Sequence, residues 1–424
     1  PPPPPPPPLF KRLRRNTRLC KLSRGLGDVY KRQEPTLLPE ALVSPGIPTA
    51  TETRSTESPI ELTPTETPLP PRVLSICLGS EPSSLFLYGD TTSAAQSVRQ
   101  AIYDGPFDIY NYEVTPVILE KIPSLADGDA FLRPVEVAPG TLILDNDGNW
   151  VALNEGVTYR PTGCNQPDCA LSYSGEDFVV MDELVAQFRL LPGIEWSDSM
   201  PLTARDSVYA YQVLKELYAG VPSELIRYTR QYLAQDELTI EWVGIPGYQS
   251  VYEMHFITPF PQHLWGSLAP AELLTSEIST RTPLGWGPYV IDEWVSGDHI
   301  SLSRNPNYFR AAEGLPKFDF LVFRFTDTPE AALDALLAGE CDFVDRSAAL
   351  EPLLSRVLEL DSQGVLSAAI QSGTAWEQIS FGVESIDPAR PKFFASKEVR
   401  QAVAMCIDRQ AISSSSFSGE TLIP

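Results

Sequence analysis

Along this chain the apolar positions fall with two periods, close to two and close to 3.6, and the change from one to the other marks the elements. Val73-Leu-Ser-Ile-Cys-Leu78 is an apolar run of strand length, and Pro82 and Gly89 bracket the turn-rich stretch after it. A helix is expected over Ser93–Tyr103. Asp145-Asn-Asp-Gly-Asn149 lies between TLIL and WVAL and reads as a hairpin turn. A calcium loop would need Gly at its sixth position and Glu at its twelfth, and has neither. Gln187–Trp196 reads as a strand running into a Pro-Gly turn. Thr203, with Asp206 three residues on, caps a helix that should reach about Leu217. Glu237–Val243 alternates as a half-buried strand does, and Tyr289–Trp294 is strand-like after Gly285, Gly287 and Pro288. Thr328-Pro329 opens an alanine- and leucine-rich helix that Gly339 closes. Val399, Ala402, Val403, Cys406 and Ile407 share one face of a helix over Lys397–Ile412, with Ser396 as its cap. Helices and strands are interspersed, so the architecture is α/β or mixed.

The first 71 residues carry no such pattern. Residues 1–33 join Pro1–Pro8 to a basic run with no apolar segment of signal-peptide length behind it, and read as adapter-derived sequence outside the fold. Residues 34–71 are rich in Thr, Pro, Glu and Ser, too polar to bury a core, and read as a tether, with a lipid-modified cysteine expected ahead of it. The body is long enough for more than one domain and lacks the roughly 18 to 20 consecutive apolar residues of a membrane span. The formal charge of the whole chain is −23. Residues 1–33 hold nine basic residues and one acidic one, so the remainder stands at 23 basic against 54 acidic, a formal −31. Such a surface repels phosphate backbones, which argues against nucleic acid as a partner.

Four segments in order carry a more specific signal: Phe188–Gln212 (FRLLPGIEWSDSMPLTARDSVYAYQ), Pro283–Arg310 (PLGWGPYVIDEWVSGDHISLSRNPNYFR), Ala335–Asp345 (ALLAGECDFVD) and Ser396–Ile412 (SKEVRQAVAMCIDRQAI). Together they resemble the bacterial extracellular solute-binding proteins of the oligopeptide and dipeptide type, family five, from about Val73 to the end. The resemblance implies an α/β, two-lobed periplasmic-binding-protein-like fold of class II with mixed sheets. It implies a first lobe from residues 72–110 and 236–290, an accessory subdomain at 111–235, and a second lobe at 291–424 that is C-terminally incomplete. Gly285, Gly287 and Pro288 then mark the crossing between lobes. Similar proteins usually place Gly where this chain has Ser199. The implied action is capture of peptides or other elongated solutes by lobe closure, outside the cytoplasm and next to an ABC permease. The protein would work as a monomer, without cofactor or metal, and touch the membrane only through its lipid anchor.

Aromatics that interrupt polar stretches are the candidates for the ligand cleft: Tyr88, Trp286 and Trp376, with core packing as the alternative role for each. Glu81 and Glu377 are candidates to meet a ligand amine. Cys164 and Cys169 enclose a short loop that a disulfide would close outside the cytoplasm, and Cys341 and Cys406 are a second candidate pair, both in second-lobe motifs. The three histidines stand singly, with no G-x-S-x-G elbow, HExxH pair or P-loop, so an enzyme is disfavoured. A carboxylate-dependent hydrolase and a sensory or adhesive protein on the same fold are the alternatives to transport.

Overall fold

The helices start where side chains can satisfy their free N–H groups. In the computed structural model, which describes residues 70–110, 113–220, 223–370, 379–383 and 392–417, the Thr92 hydroxyl accepts the Ala95 N–H and opens the helix Ser93–Ile102. The Asp206 carboxylate accepts the Thr203 N–H at 2.8 Å and secures the start of the helix Ala204–Leu217. Thr328 and Gly339 bound the helix Pro329–Ala338, with Gly339 at φ 74°. The single helix expected over Lys397–Ile412 is two. Lys397–Met405 stops, and the Asp408 carboxylate accepts the Ala411 N–H at 2.8 Å to begin Arg409–Phe417. The apolar spacing continues across the break, which is why the sequence pattern concealed it.

A five-stranded sheet runs in the order Tyr289–Val295, His299–Arg304, Phe320–Phe325, Val73–Leu78, Phe343–Val344. Its first three strands form an antiparallel meander, and the last three lie parallel. The helix Pro329–Ala338 connects Phe320–Phe325 to Phe343–Val344, with Val73–Leu78 inserted between them. Residues 72–110 and the first part of 291–424 share this one sheet. The register sets Leu321 beside both Leu74 and Leu302, and Phe323 beside both Ile76 and Ile300. That apolar face is covered by Val98, Ala101 and Ile102 of the helix Ser93–Ile102.

A second, antiparallel sheet of four strands runs Thr229–Ala234, Thr239–Gly244, Val179–Arg189, Ala130–Val137. Pro134 lies within Ala130–Val137, and this strand is accordingly at the edge, where the missing N–H breaks no ladder. The predicted hairpin forms from Leu142–Leu144 and Trp150–Ala152. At its turn the Asp145 carboxylate accepts the Asp147 and Asn149 N–H groups at 2.9 and 2.7 Å. One large core joins both main sheets, and a smaller one of Val137, Ile143, Leu153, Tyr159, Tyr173 and Met181 sits under the hairpins.

Two disulfides cross-link these parts. Cys164 is bonded to Cys169, closing the short loop. Cys341 is bonded to Cys77, with Cα atoms 5.8 Å apart, so the pairing expected with Cys406 is corrected. The reason is the sheet: Cys341 follows the helix Pro329–Ala338, and the adjoining Asp342 N–H donates to the Ser75 carbonyl in the strand that carries Cys77. Cys406 is a free, exposed thiol. Among the described residues no helix is long and apolar enough to cross a membrane.

Candidate ligand-binding site

Loops that leave the carboxyl ends of parallel strands surround the usual ligand crevice of an open α/β sheet. Here three parallel strands end together, at Leu78, Phe325 and Val344. The emerging loops are tied to one another. Gly79 packs so closely on the Ser347 backbone that a Cβ would collide with its carbonyl oxygen, and its N–H donates to Ser347 Oγ at 3.1 Å. Thr326 donates from both N–H and Oγ1 to the Leu78 carbonyl, at 2.8 and 2.7 Å. Asp345 accepts from the Ser347 N–H at 2.8 Å and from the Ser97 hydroxyl at 2.9 Å, which joins the third loop to the helix Ser93–Ile102.

The loop 79–92 follows the strand Val73–Leu78, is fixed from three directions and is braced from within by Asp90. Glu81 takes the Trp294 indole N–H at 2.7 Å on one oxygen and the Gly297 N–H at 2.9 Å on the other. The Arg281 guanidinium stacks over Trp294, 4.2 Å from the ring centroid, and holds that indole in place. Asp90 accepts from Ser83 N–H and Thr92 N–H at 2.8 and 2.7 Å. Burial alone would raise the Asp90 carboxyl, but these bonds to its charged form outweigh it and hold the group below its usual range. Arg99 reaches the Phe86 carbonyl at 3.1 Å, and the Tyr218 hydroxyl reaches the Tyr88 carbonyl at 3.0 Å. A groove of about 330 Å³ opens between the helix Ser93–Ile102 and the sheet, with Leu74, Ile76, Ala101, Leu321, Phe323 and Phe343 among its walls.

The candidates taken from sequence fall into three groups. Tyr88 is in this loop and 38% exposed, its ring against Phe86 and Phe260. Desolvation of the phenol, with Tyr218 nearby, pushes it up to about 12. Glu81 is in the same loop, but both carboxylate oxygens are committed to Trp294 and Gly297, which makes it a tie from this loop to the hairpin of Tyr289–Val295 and His299–Arg304. Trp286 is fully buried, against Tyr103 at 5.1 Å and Trp196 at 5.3 Å, with its indole N–H donating to the Asp104 carbonyl at 2.9 Å. It is a core residue, and its expected place in the cleft is corrected. Trp376 and Glu377 lie outside the described residues.

Gly285, Gly287 and Pro288 also change role. A Cβ on either glycine would run into the backbone of Ile102, whose carbonyl accepts the Gly287 N–H at 2.7 Å. Asn305 then fastens the segment by donating its Nδ2 to the Gly287 carbonyl and its N–H to the Pro288 carbonyl, both at 2.9 Å. Close approach, and not free rotation, is what excludes side chains here. Sequence reasoning missed Asp90, Arg99, Tyr218 and the Arg281–Trp294 stack. Asp90 alone left a signal, standing two residues before the cap Thr92, where an aspartate turn is at home. The edge so assembled offers hydrogen-bonding groups, an apolar groove and fixed loops, which suits recognition of a solute.

Residues 166–421 match the family described as bacterial extracellular solute-binding proteins, family 5 Middle, which is more than half of the chain. The chain belongs to this family. Among curated relatives of this family 5 protein, the oligopeptide-binding protein AppA of Bacillus subtilis is 24% identical over 242 residues, covering 56% of this chain and 41% of the relative. The chain thus spans about two-fifths of the length of the curated relatives it matches. The structure of AppA in complex with a nonapeptide aligns with a TM-score of 0.48 at 18% identity, over 82% of this chain and 57% of that one. An oligopeptide-binding protein from Thermus thermophilus, complexed with a pentapeptide, aligns with a TM-score of 0.42 at 17% identity, over 63% and 43%.

Proposed function

We propose that this family 5 protein captures peptides or similarly elongated solutes outside the cytoplasmic membrane. It hands them unaltered to an ABC permease, with residues 34–71 as its tether. The family match over residues 166–421 carries the reading. The two disulfides support it, because such bonds persist in oxidising compartments. The oligopeptide-binding relative supports a peptide as the ligand. In this reading the fixed loop 79–92 is one wall of the site, with Tyr88 as its exposed aromatic, and the second lobe follows the five-stranded sheet.

Capture for transport needs only modest affinity, about −8 kcal/mol for a micromolar Kd. Native mass spectrometry of the full-length protein, purified without denaturation, should show a bound small solute. Titration calorimetry with peptides of graded length should then give micromolar binding that weakens on Tyr88→Ala. Recovery of a bound compound in chemically altered form would overturn the reading. So would the absence of binding to every peptide and extended solute offered.

A further inference from the structure

The segment that leaves the strand Thr239–Gly244 folds back over the four-stranded sheet, and one histidine closes it. His255 is 9% exposed, with its ring 4.6 Å from Trp242 and 5.7 Å from Tyr248, centroid to centroid. Its Nδ1 is buried and has no hydrogen-bond partner. The segment is anchored on both sides of this cage. The Gly247 N–H donates to the Asp182 carbonyl at 2.9 Å, and the Ile257 N–H donates to the Tyr232 hydroxyl at 2.9 Å. Between these anchors Val251 and Met254 are exposed while Tyr248, Tyr252 and Phe256 are buried, Phe256 against Phe107 and Phe188, and the Tyr252 hydroxyl accepts the Leu125 N–H at 3.0 Å.

We propose that His255 is an acid-sensitive latch: proton uptake from solvent by its caged imidazole releases residues 248–256 as a flap between the anchors at 247 and 257. A neutral imidazole suits the aromatic cage, whereas an imidazolium gains a second N–H donor that must find an acceptor. The Tyr252 carbonyl, on the same segment, is the one backbone acceptor that favours the charged ring. Glu253, on the same segment, is the one carboxylate that favours the charged ring, and it also accepts the Tyr252 N–H at 2.9 Å. On the strand Thr239–Gly244 the Trp242 indole N–H is already donated to Thr229, and alternation puts Glu241 on the opposite face. From the strand Val179–Arg189, Asp182 approaches through its carbonyl, while its carboxylate accepts the Gly163 N–H. Behind Tyr248 lie Tyr228, stacked at 4.8 Å, and Glu224, which acts on Tyr248. Desolvation outweighs both Glu253 and the Tyr252 carbonyl and pushes the imidazole down to about 4. The ring therefore stays neutral well below the ordinary histidine range, and the cage gives way when it charges.

The chain has three histidines, so ring resonances of the full chain, labelled in histidine, can be followed singly from pH 8 to 3.5. The expected result is one ring with its midpoint near 4, lost in His255→Phe. Amide exchange of residues 248–256, corrected for its intrinsic pH dependence, should accelerate at least tenfold over the same range while the strand Val179–Arg189 stays protected. In His255→Phe the flap should keep its protection. A His255 midpoint near 6.5 without opening, or equal opening in His255→Phe, would overturn the latch. If that variant fails to fold, the wild type decides alone: opening displaced from the His255 midpoint by more than about one pH unit refutes it.

Discussion

Ser199 shows how one side chain can sit against the preference of its backbone. It adopts φ 70°, a left-handed conformation that a Cβ disfavours by roughly 1 to 2 kcal/mol, in the turn before the helix Ala204–Leu217. The hydroxyl compensates in part, because Asn307 Nδ2 donates to Ser199 Oγ at 2.9 Å and to the Ser197 carbonyl at 3.1 Å. Ser199→Gly should remove the strain and forfeit one exposed hydrogen bond, for a net gain of about 0.5 to 1 kcal/mol, measured as a higher midpoint in urea unfolding. Glu81→Ala should have the opposite sign. It removes the acceptor of the half-buried Trp294 indole and of the exposed Gly297 N–H, which water can partly replace, and should cost about 0.5 to 1.5 kcal/mol, with faster proteolytic cleavage in the loop 79–92 as a local readout. Glu81→Gln should recover part of the loss, since one amide oxygen can still accept. Neither tie could be read from the sequence, where Glu81 looked like an unpartnered carboxylate free to meet a ligand.

Elements bounded by their own residues were legible, and those defined by distant partners were not. Thr92, Thr203, Thr328 with Pro329, Gly339 and the Asp145 turn act within a few residues of themselves, and the structure places helices and a hairpin there. Trp286 read as a cleft aromatic because its burial depends on Tyr103 and Trp196, far away in sequence. Residue 134 would have argued against a strand, yet the edge position tolerates it. Cysteine pairing failed for the same reason: Cys77 and Cys341 are separated by 264 residues and are brought together by a helix and a sheet edge. Cys77→Ser should cost about 2 to 5 kcal/mol and loosen the Phe343–Val344 strand first. Among the described cysteines, alkylation of the unreduced, unfolded protein should label Cys406 and spare Cys77, Cys164, Cys169 and Cys341 until a reductant is added.

At the scale of the molecule, acidity and acid response are separate matters. The formal charge of −23 describes a surface that acid neutralises, whereas His255 describes an interior that acid charges. Its imidazole is held neutral in the fold, so the unfolded chain binds the extra proton first. Stability from this residue is complete above the ordinary value of 6.5 and is lost as pH falls toward about 4. The total at stake is up to about 3 kcal/mol, and urea midpoints between pH 7 and 4 should fall more steeply for the wild type than for His255→Phe.

The sheet order has a further consequence for how such a protein is made. The strand Val73–Leu78 has no neighbour until chain some 247 residues later arrives on one side, at Asp319 and Phe320, and Phe343–Val344 then closes the other. Throughout that interval of synthesis an apolar, hydrogen-bond-hungry ribbon is left open to mispairing. Folding that waits for the whole sheet-forming chain would suit this ordering, with the Cys77–Cys341 bond sealing the insertion of Val73–Leu78 afterwards.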